Sequence, residues 1–298
     1  MASENLIFET ADGLSLVMPD TVYNYESLPG NFGLPTTNFI TRQGYKQDGS
    51  TEIDYILSER EFDLDFWRAS ACDRATYWTN RTELVDYFRP NRGGQMTFKV
   101  VQADGTTRAL MVRATPGFVY PAAQNNNNWN IRESITLRAF DPIWFDPTSN
   151  VLAIASSVST DLVFPITFPI QFGASGLLFT TAITYAGTWK SYPTLTLTGP
   201  YTNAVISNLT TGISIYLTVA IAAGESRILD LTPGSQSLVD GNGDDAFGDL
   251  GPTSNLVDFN LRPDPEVAGG VQTIEAILYG ASGAAGFTIS YYDKYIGI

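Results

Sequence analysis

The chain has 298 residues, enough for one large domain or two ordinary ones, and a formal net charge of −14 from 31 acidic and 17 basic residues. It has no histidine and a single cysteine, Cys72, which excludes an internal disulfide, the commonest general base and zinc ligand, and the Ser/His/Asp and Cys/His catalytic arrangements. The acidity runs throughout, −6 over residues 1–150 (19 acidic, 13 basic) and −8 over 151–298 (12 acidic, 4 basic), and leaves no basic stripe for nucleic acid or an anionic membrane.

The opening residues, MASENLIFETADG, lack the basic-then-apolar pattern of a secretory leader. EFDLDFW (61–67) alternates: Phe62, Leu64 and Phe66 face one way and Glu61, Asp63 and Asp65 the other, which predicts a half-buried strand. DRATYWTNRTELVDYFRPN (73–91) spaces Tyr77, Leu84 and Phe88, with Trp78 and Val85 beside them, as on one face of an amphipathic helix. Asp73 or a nearby Thr or Asn caps its start, and Pro90 stops it.

QMTFKVVQADGTTRALMV (95–112) predicts a long hairpin. Met96, Phe98 and Val100 alternate, Asp104-Gly105 turns, and Leu110 and Val112 return. AAQNNNNW (122–129) reads as a polar loop or arm. WNIRESITLRAF (129–140) sets Trp129, Ile131, Ile135 and Leu137 on one face and Arg132, Ser134, Thr136 and Arg138 on the other. In FDPIWFDP (140–147) an Asp-Pro stands on each side of Trp144-Phe145. Prolines force extended or turn backbone on their neighbours, and the texture changes here. The first domain is therefore expected to span 1–147 and the second 148–298, with Trp144 and Phe145 sealing the junction.

Beyond the prolines, Leu162–Trp189 and Ser191–Gly224 carry no charge. Pro165, Pro169 and Gly173 interrupt the first, and Thr, Ser, Asn and Gly stud the second, so both read as strands of a β domain rather than membrane helices. TLTLTG (194–199), GISIYLTVAIAAG (212–224), TIEAILYG (273–280) and GFTISYY (286–292) are short strand-like runs separated by turns, which predicts a β-sandwich. The fold class is mainly β: two sandwich-type domains, the first with one helix and a long hairpin.

Motifs for chemistry are weak. DGNGDDAFGD (240–249) sets Asp240, Asn242 and Asp244 at the spacing of the first three ligands of a calcium loop, but Asp245 stands where the loop needs Gly and Gly251 where it needs Glu. A Gly-rich turn is the competing reading. Glu61, Asp63 and Asp65 share one side of one strand, which does not set two carboxylates across a cleft. A solvated face is the ordinary alternative. Asn80-Arg81-Thr82 and Asn208-Leu209-Thr210 fit the glycosylation sequon, and Cys72 reads as a small core or near-core residue. Trp189 and Tyr192, beside Lys190, could stack on sugar or simply pack. No catalytic, cofactor-binding or metal residues are assigned, and the chain reads as a non-enzyme.

Taken in order, several segments resemble the distal tail proteins of siphoviruses, phages with long non-contractile tails. They are GNFGLP (30–35), KQDGSTEIDYILSEREFDLDFW (46–67) with Arg60 opening its strand, YFRPNRGGQMTF (87–98), ADGTTR (103–108) and LRAFDPIWFDP (137–147). SQSLVDGNGDDAF (235–247), FNLRPDPEVAGGVQTIEAI (259–277) and FTISYYDKYIGI (287–298) continue it. The resemblance implies a virion protein at the tail tip, made in the host bacterial cytoplasm. Its first domain forms a hexameric hub ring around the DNA channel. Its second, galectin-like or similar to a carbohydrate-binding module, points outward. Implied partners are further copies of the chain, the tail tube protein, a tail-tip hub protein and receptor-binding proteins, with no membrane and no specific grip on passing DNA. Glu61, Asp63 and Asp65 would then line the lumen or face solvent. The alternatives are a carbohydrate-binding module or adhesin acting alone, and a tail-tube ring protein.

Overall fold

Period-two alternation turns nearly every described segment into a strand. The structure, a computed structural model, describes residues 4–19, 23–26, 32–68, 74–119, 132–157, 176–281 and 283–298. Two compact units emerge, Met1–Pro147 together with Tyr295–Ile298, and Thr148–Lys294. The last four residues thus depart from the expected 148–298 span and belong to the first unit.

In the first unit the strands are β1 (Asn5–Glu9), β2 (Ser15–Met18), β3 (Tyr23–Tyr25), β4 (Thr37–Arg42), β5 (Thr51–Leu57) and β6 (Arg60–Arg68). Helix α1 (Arg74–Phe88) follows, then β7 (Met96–Val101), β8 (Thr107–Val119), β9 (Arg132–Ala139) and β10 (Trp144–Phe145). One sheet runs β2-β1-β7-β8-β9-β6-β3, while β4 and β5 pair only with each other. The predicted hairpin is β7–β8: Gly105 takes a positive φ of 89°, and Asp104 accepts hydrogen bonds from the Thr106 amide and hydroxyl. Phe62, Leu64, Met96, Phe98, Val100, Leu110, Val112, Ile135 and Leu137 all bury their side chains in one core with Leu6 and Phe8 of β1.

The helix departs from its expected face. Leu84 and Phe88 are buried, but Trp78 is 50% and Val85 43% exposed. Among the described side chains of those named, packing selects Leu84 and Phe88. The side chains of Phe66 and Tyr77 lie outside the described set, as do Cys72, Asp73, Trp129, Ile131 and the 122–129 loop. Trp144 is fully buried in the first unit's own core, with its ring 5.2 Å from Phe32 and 6.1 Å from Phe98.

The second unit contains β11 (Asn150–Ile154), β12 (Ser156–Ser157), β13 (Gly176–Thr184), β14 (Thr194–Thr198), β15 (Asn203–Asn208) and β16 (Ile213–Leu217). After these come β17 (Ser226–Asp230), β18 (Ser237–Asp240), β19 (Val271–Tyr279) and β20 (Gly286–Tyr291). Two five-stranded antiparallel sheets, β11-β20-β14-β17-β18 and β12-β13-β19-β15-β16, bury their inner faces in one core. Phe179 and Phe287 meet edge to face between them, 6.4 Å apart. The predicted run 212–224 is a strand only to Leu217, and Ile221 returns as a single bridge to Tyr201. The final strand, β21 (Lys294–Tyr295), pairs with β10 and carries the chain back to the first unit.

Candidate functional site

The feature that the first core does not use is β4–β5. Every residue from Asn38 to Arg42 and from Thr51 to Ile56 is exposed. The strands are nonetheless apolar. Phe39 is 60% and Ile53 62% exposed, and Ile40, Tyr55 and Ile56 are exposed as well. Phe39 faces Tyr55 across the ladder, while Asn38 faces Ile56 and Ile40 faces Asp54. Adjacent positions point to opposite sides, so both faces of the hairpin carry large apolar groups. A lone two-stranded hairpin is marginal in water. This one carries its apolar surface outward, which suits an arm covered by another surface.

Its turn is well organised. The Gln47 side chain accepts a hydrogen bond from the Gly44 amide (2.9 Å) and donates to Thr51 Oγ1 (2.8 Å), while Gln43 donates to the Gln47 carbonyl. Tyr45 stands at the tip, 93% exposed, with Lys46 Nζ 5.5 Å from its ring centre.

At the root of the arm lies an open depression of about 590 Å³. Pro35, Thr36, Leu57, Glu59, Glu61 and Arg138 are among its lining residues. Arg138 bonds Glu59 through Nε and Nη2 and stands 3.5 Å from Glu61. These are surface pairs and contribute little to stability. Asp63 accepts a 2.6 Å hydrogen bond from Thr136. Of the row expected to stand together, Glu61 is therefore paired, Asp63 is hydrogen-bonded, and the row carries less net field than its sequence suggests.

Arg60 opens β6 and is buried. Its guanidinium donates to the carbonyls of Gly33 (2.8 Å), Pro142 (3.1 and 3.2 Å) and Ile296 (3.0 Å), and lies 5.9 Å from the Trp144 ring centre. Burial pulls its pKa down from the usual arginine value. Sequence reading marks Arg60 as the start of a strand but misses this anchoring, because its three partners are distant in the chain. The returning tail is held further by Arg108, whose guanidinium sits 3.8 Å from the Tyr295 ring centre, and by the Ile298 amide donating to Phe32 O.

The remaining sequence candidates resolve as structure. Asp240 accepts the amides of Asn242 and Asp244, so its carboxylate closes the turn. Among the described residues no group of three or more His, Cys, Asp or Glu is arranged to hold a metal ion. Tyr192 packs against the second core with Lys190 over its ring at 6.0 Å, and Trp189 is half-buried. Both sequon asparagines are buried. Asn208 is fully engaged, donating to Gln272 Oε1 and accepting from the Thr210 and Thr211 amides. Burial makes both poor acceptors for a bulky surface sugar.

Stability should be insensitive to pH across the neutral range. Without histidine, no side chain has an ordinary pKa between about 5 and 8 apart from Cys72 near its upper edge. The Asp12 pKa is lowered, first by the Thr10 hydroxyl and then by Arg92; that of Asp104 by Thr106; and that of Asp240 by the Asp244 and Asn242 amides. Folded values below the unfolded value of about 3.9 stabilise fully above it, and that contribution is lost as pH falls through the folded values. Burial raises Tyr201, Tyr25 and Tyr291 above the ordinary phenol value. Their contribution is lost as pH climbs past about 10. The melting temperature should therefore plateau between about pH 5 and 9, falling outside it; a step between pH 6 and 7.5 would contradict this assignment.

Comparison with known proteins gives a fold. No family model matches the sequence, and no curated relative does. Among solved structures, the Dit protein (gp 19.1) of phage SPP1, a paradigm of the hub adsorption apparatus in phages that infect Gram-positive bacteria, aligns with a TM-score of 0.66 at 13% identity. The match covers 98% of this chain and 99% of that one. The phage P2 baseplate in its activated conformation matches with calcium (TM-score 0.53) and with strontium (0.52), each at 10% identity and covering 97% of this chain and 98% of that chain. The chain has the fold of these hub and baseplate proteins over nearly its whole length.

Proposed function

We propose that this chain is a structural virion protein, the distal tail protein of a phage with a long non-contractile tail. In this reading its first unit forms a hexameric ring at the tail tip around the DNA channel. The ring joins the tail tube to the tip or baseplate and to the receptor-binding apparatus, with the second unit as the outward module. The observation that carries this reading is the β4–β5 arm. Its outward apolar faces need a cover, and the end-to-end likeness to hub and baseplate folds supports an assembly of that kind as the cover. An arm on each copy that seats on the next is a head-to-tail contact, and such contacts close into a ring when the rotation from one copy to the next completes a full turn. The strong net negative charge keeps passing DNA from being gripped.

Mass measurement of the purified chain tests this. Six copies of the 32.5 kDa chain are expected in one particle, and replacing residues 37–57 by a short turn should leave a folded single chain. A wild-type chain that stays single at high concentration and binds glycans would instead support the adhesin reading. Copy number in the virion separates a hub, with one ring, from a tube protein, with many.

A further inference from the structure

We propose that Asn242 is a site of spontaneous deamidation, and that its conversion opens the hairpin covering one edge of the second unit. Deamidation begins when the backbone nitrogen of the next residue loses its proton and attacks the asparagine side-chain carbonyl carbon. A side chain on that next residue shields the nitrogen, and glycine has none. Asn242 is the one asparagine of the sequence followed by glycine. The surroundings are open as well: Asn242 and Gly243 are exposed, and a β-carbon on Gly243 would meet nothing within 4 Å. The carboxamide is weakly held, with Nδ2 3.4 Å from Asp240 Oδ2. The Gly243 N–H donates to Asp240 O at 3.1 Å, so the turn must open for attack and the reaction runs slower than in an unfolded chain. Asn150 and Asn255 are restrained further. They precede Val151 and Leu256, and each donates Nδ2 to a carboxylate, at 3.0 and 2.9 Å.

The step balances without an oxidant or reductant. A bond forms between Gly243 N and Asn242 Cγ, the Cγ–Nδ2 bond breaks, and the amide leaves as ammonia, taking up through solvent the proton that left Gly243. Water then opens the cyclic imide at either carbonyl and returns a proton to the nitrogen. The product is aspartate or, with the backbone rerouted through the side chain, isoaspartate.

Either product weakens the turn. Asp240 Oδ1 accepts the amides of Asn242 (2.8 Å) and Asp244 (2.9 Å). A new carboxylate removes the Nδ2 donor and sets a like charge beside Asp240, with Asp244 and Asp245 already following. Isoaspartate also lengthens the backbone by a methylene and disturbs the register of the returning segment. That segment covers β18, the outermost strand of its sheet: the Asp240 amide donates to Asp244 O and the Ala246 amide to Leu238 O, both at 2.9 Å. Losing these bonds leaves β18 as an open strand edge.

The test ages the full-length chain at physiological temperature in mildly alkaline and mildly acidic buffer and follows peptide masses. The Asn242 peptide should gain the mass of the amide-to-acid exchange faster than the peptides of Asn150 and Asn255, faster still in alkali, and become a substrate for isoaspartyl methyltransferase. In the converted chain the Asp240 and Ala246 amides should exchange about five-fold faster or more. Asn242→Asp, which has the charge without the extra methylene, should reproduce part of that loss. Asn242→Gln, whose longer side chain cyclises far more slowly, should keep both its mass and its protected amides. An Asn242 peptide that converts no faster than those of Asn150 and Asn255 would overturn the site. Conversion that leaves the Ala246 amide protected would overturn the opening of the edge.

Discussion

Phe98→Ala is expected to destabilise the first unit by about 4 kcal/mol. Phe98 is fully buried in the middle of β7 and is the hub of the first core. Its ring stacks on Phe8 of β1 at 4.8 Å and lies 5.5 Å from Phe62 of β6, 5.8 Å from Phe32 and 6.1 Å from Trp144. Truncation removes the transfer free energy of the ring, opens a cavity between sheet strands that cannot collapse onto one another, and breaks several aromatic pairs worth about 0.5–1.5 kcal/mol each. Phe98→Leu, which keeps most of the volume, should cost about 1–2 kcal/mol. Four of the five tryptophans precede residue 148, so fluorescence weights the first unit. Urea unfolding followed this way should shift to a lower midpoint, while amide exchange in β14, β19 and β20 stays protected. A loss under about 1 kcal/mol, or an equal shift in both units, would show that Phe98 does not organise that core.

Much of this arrangement is legible in the sequence because it is local. The alternation of Phe62 and Leu64 against Glu61, Asp63 and Asp65, and of Met96, Phe98 and Val100, places those side chains on the faces where they are found. The Asp-Pro pairs stand next to the division between units, and the Thr- and Ile-rich runs of the second half form its sheets. The arm is not legible by the same rule. Phe39, Ile40, Ile53, Tyr55 and Ile56 have the composition of core strands, and alternation cannot tell a face buried at home from one awaiting a partner. Trp78 and Val85 fail for the same reason. The returning tail is hidden too. GFTISYY predicts β20, which ends at Tyr291, but no pattern in the residues after it predicts the short β21 (Lys294–Tyr295). Nothing nearby in the chain shows that the last four residues dock on segments more than a hundred residues earlier. Gly297 marks the fit: a β-carbon there would stand 2.7 Å from the Gly33 carbonyl oxygen.

Replacing Arg60 should release that docked tail and cost about 3–5 kcal/mol. One guanidinium holds three segments through carbonyls at Gly33, Pro142 and Ile296, which stand 27, 82 and 236 residues away in the chain. Removing it leaves buried acceptors unpaired, at roughly 1–3 kcal/mol each, and opens space beside Trp144. Relief from burying a charge offsets part of this, which is why Arg60→Met, keeping the apolar stem, should be milder than Arg60→Ala. Arg60→Lys tests the geometry directly. Lysine keeps the charge, but its compact ammonium cannot reproduce a planar fork reaching three carbonyls, so it should rescue little. The readout specific to the tail is amide exchange at Ile298, whose N–H is donated to Phe32 O. It should lose protection in all three variants, together with increased carboxypeptidase trimming of Tyr295–Ile298. A stable Arg60→Met chain whose Ile298 amide stays protected would mean that packing of Tyr295 and Ile298 on the first core suffices, and that the arginine is not what fastens the two ends of the first unit together.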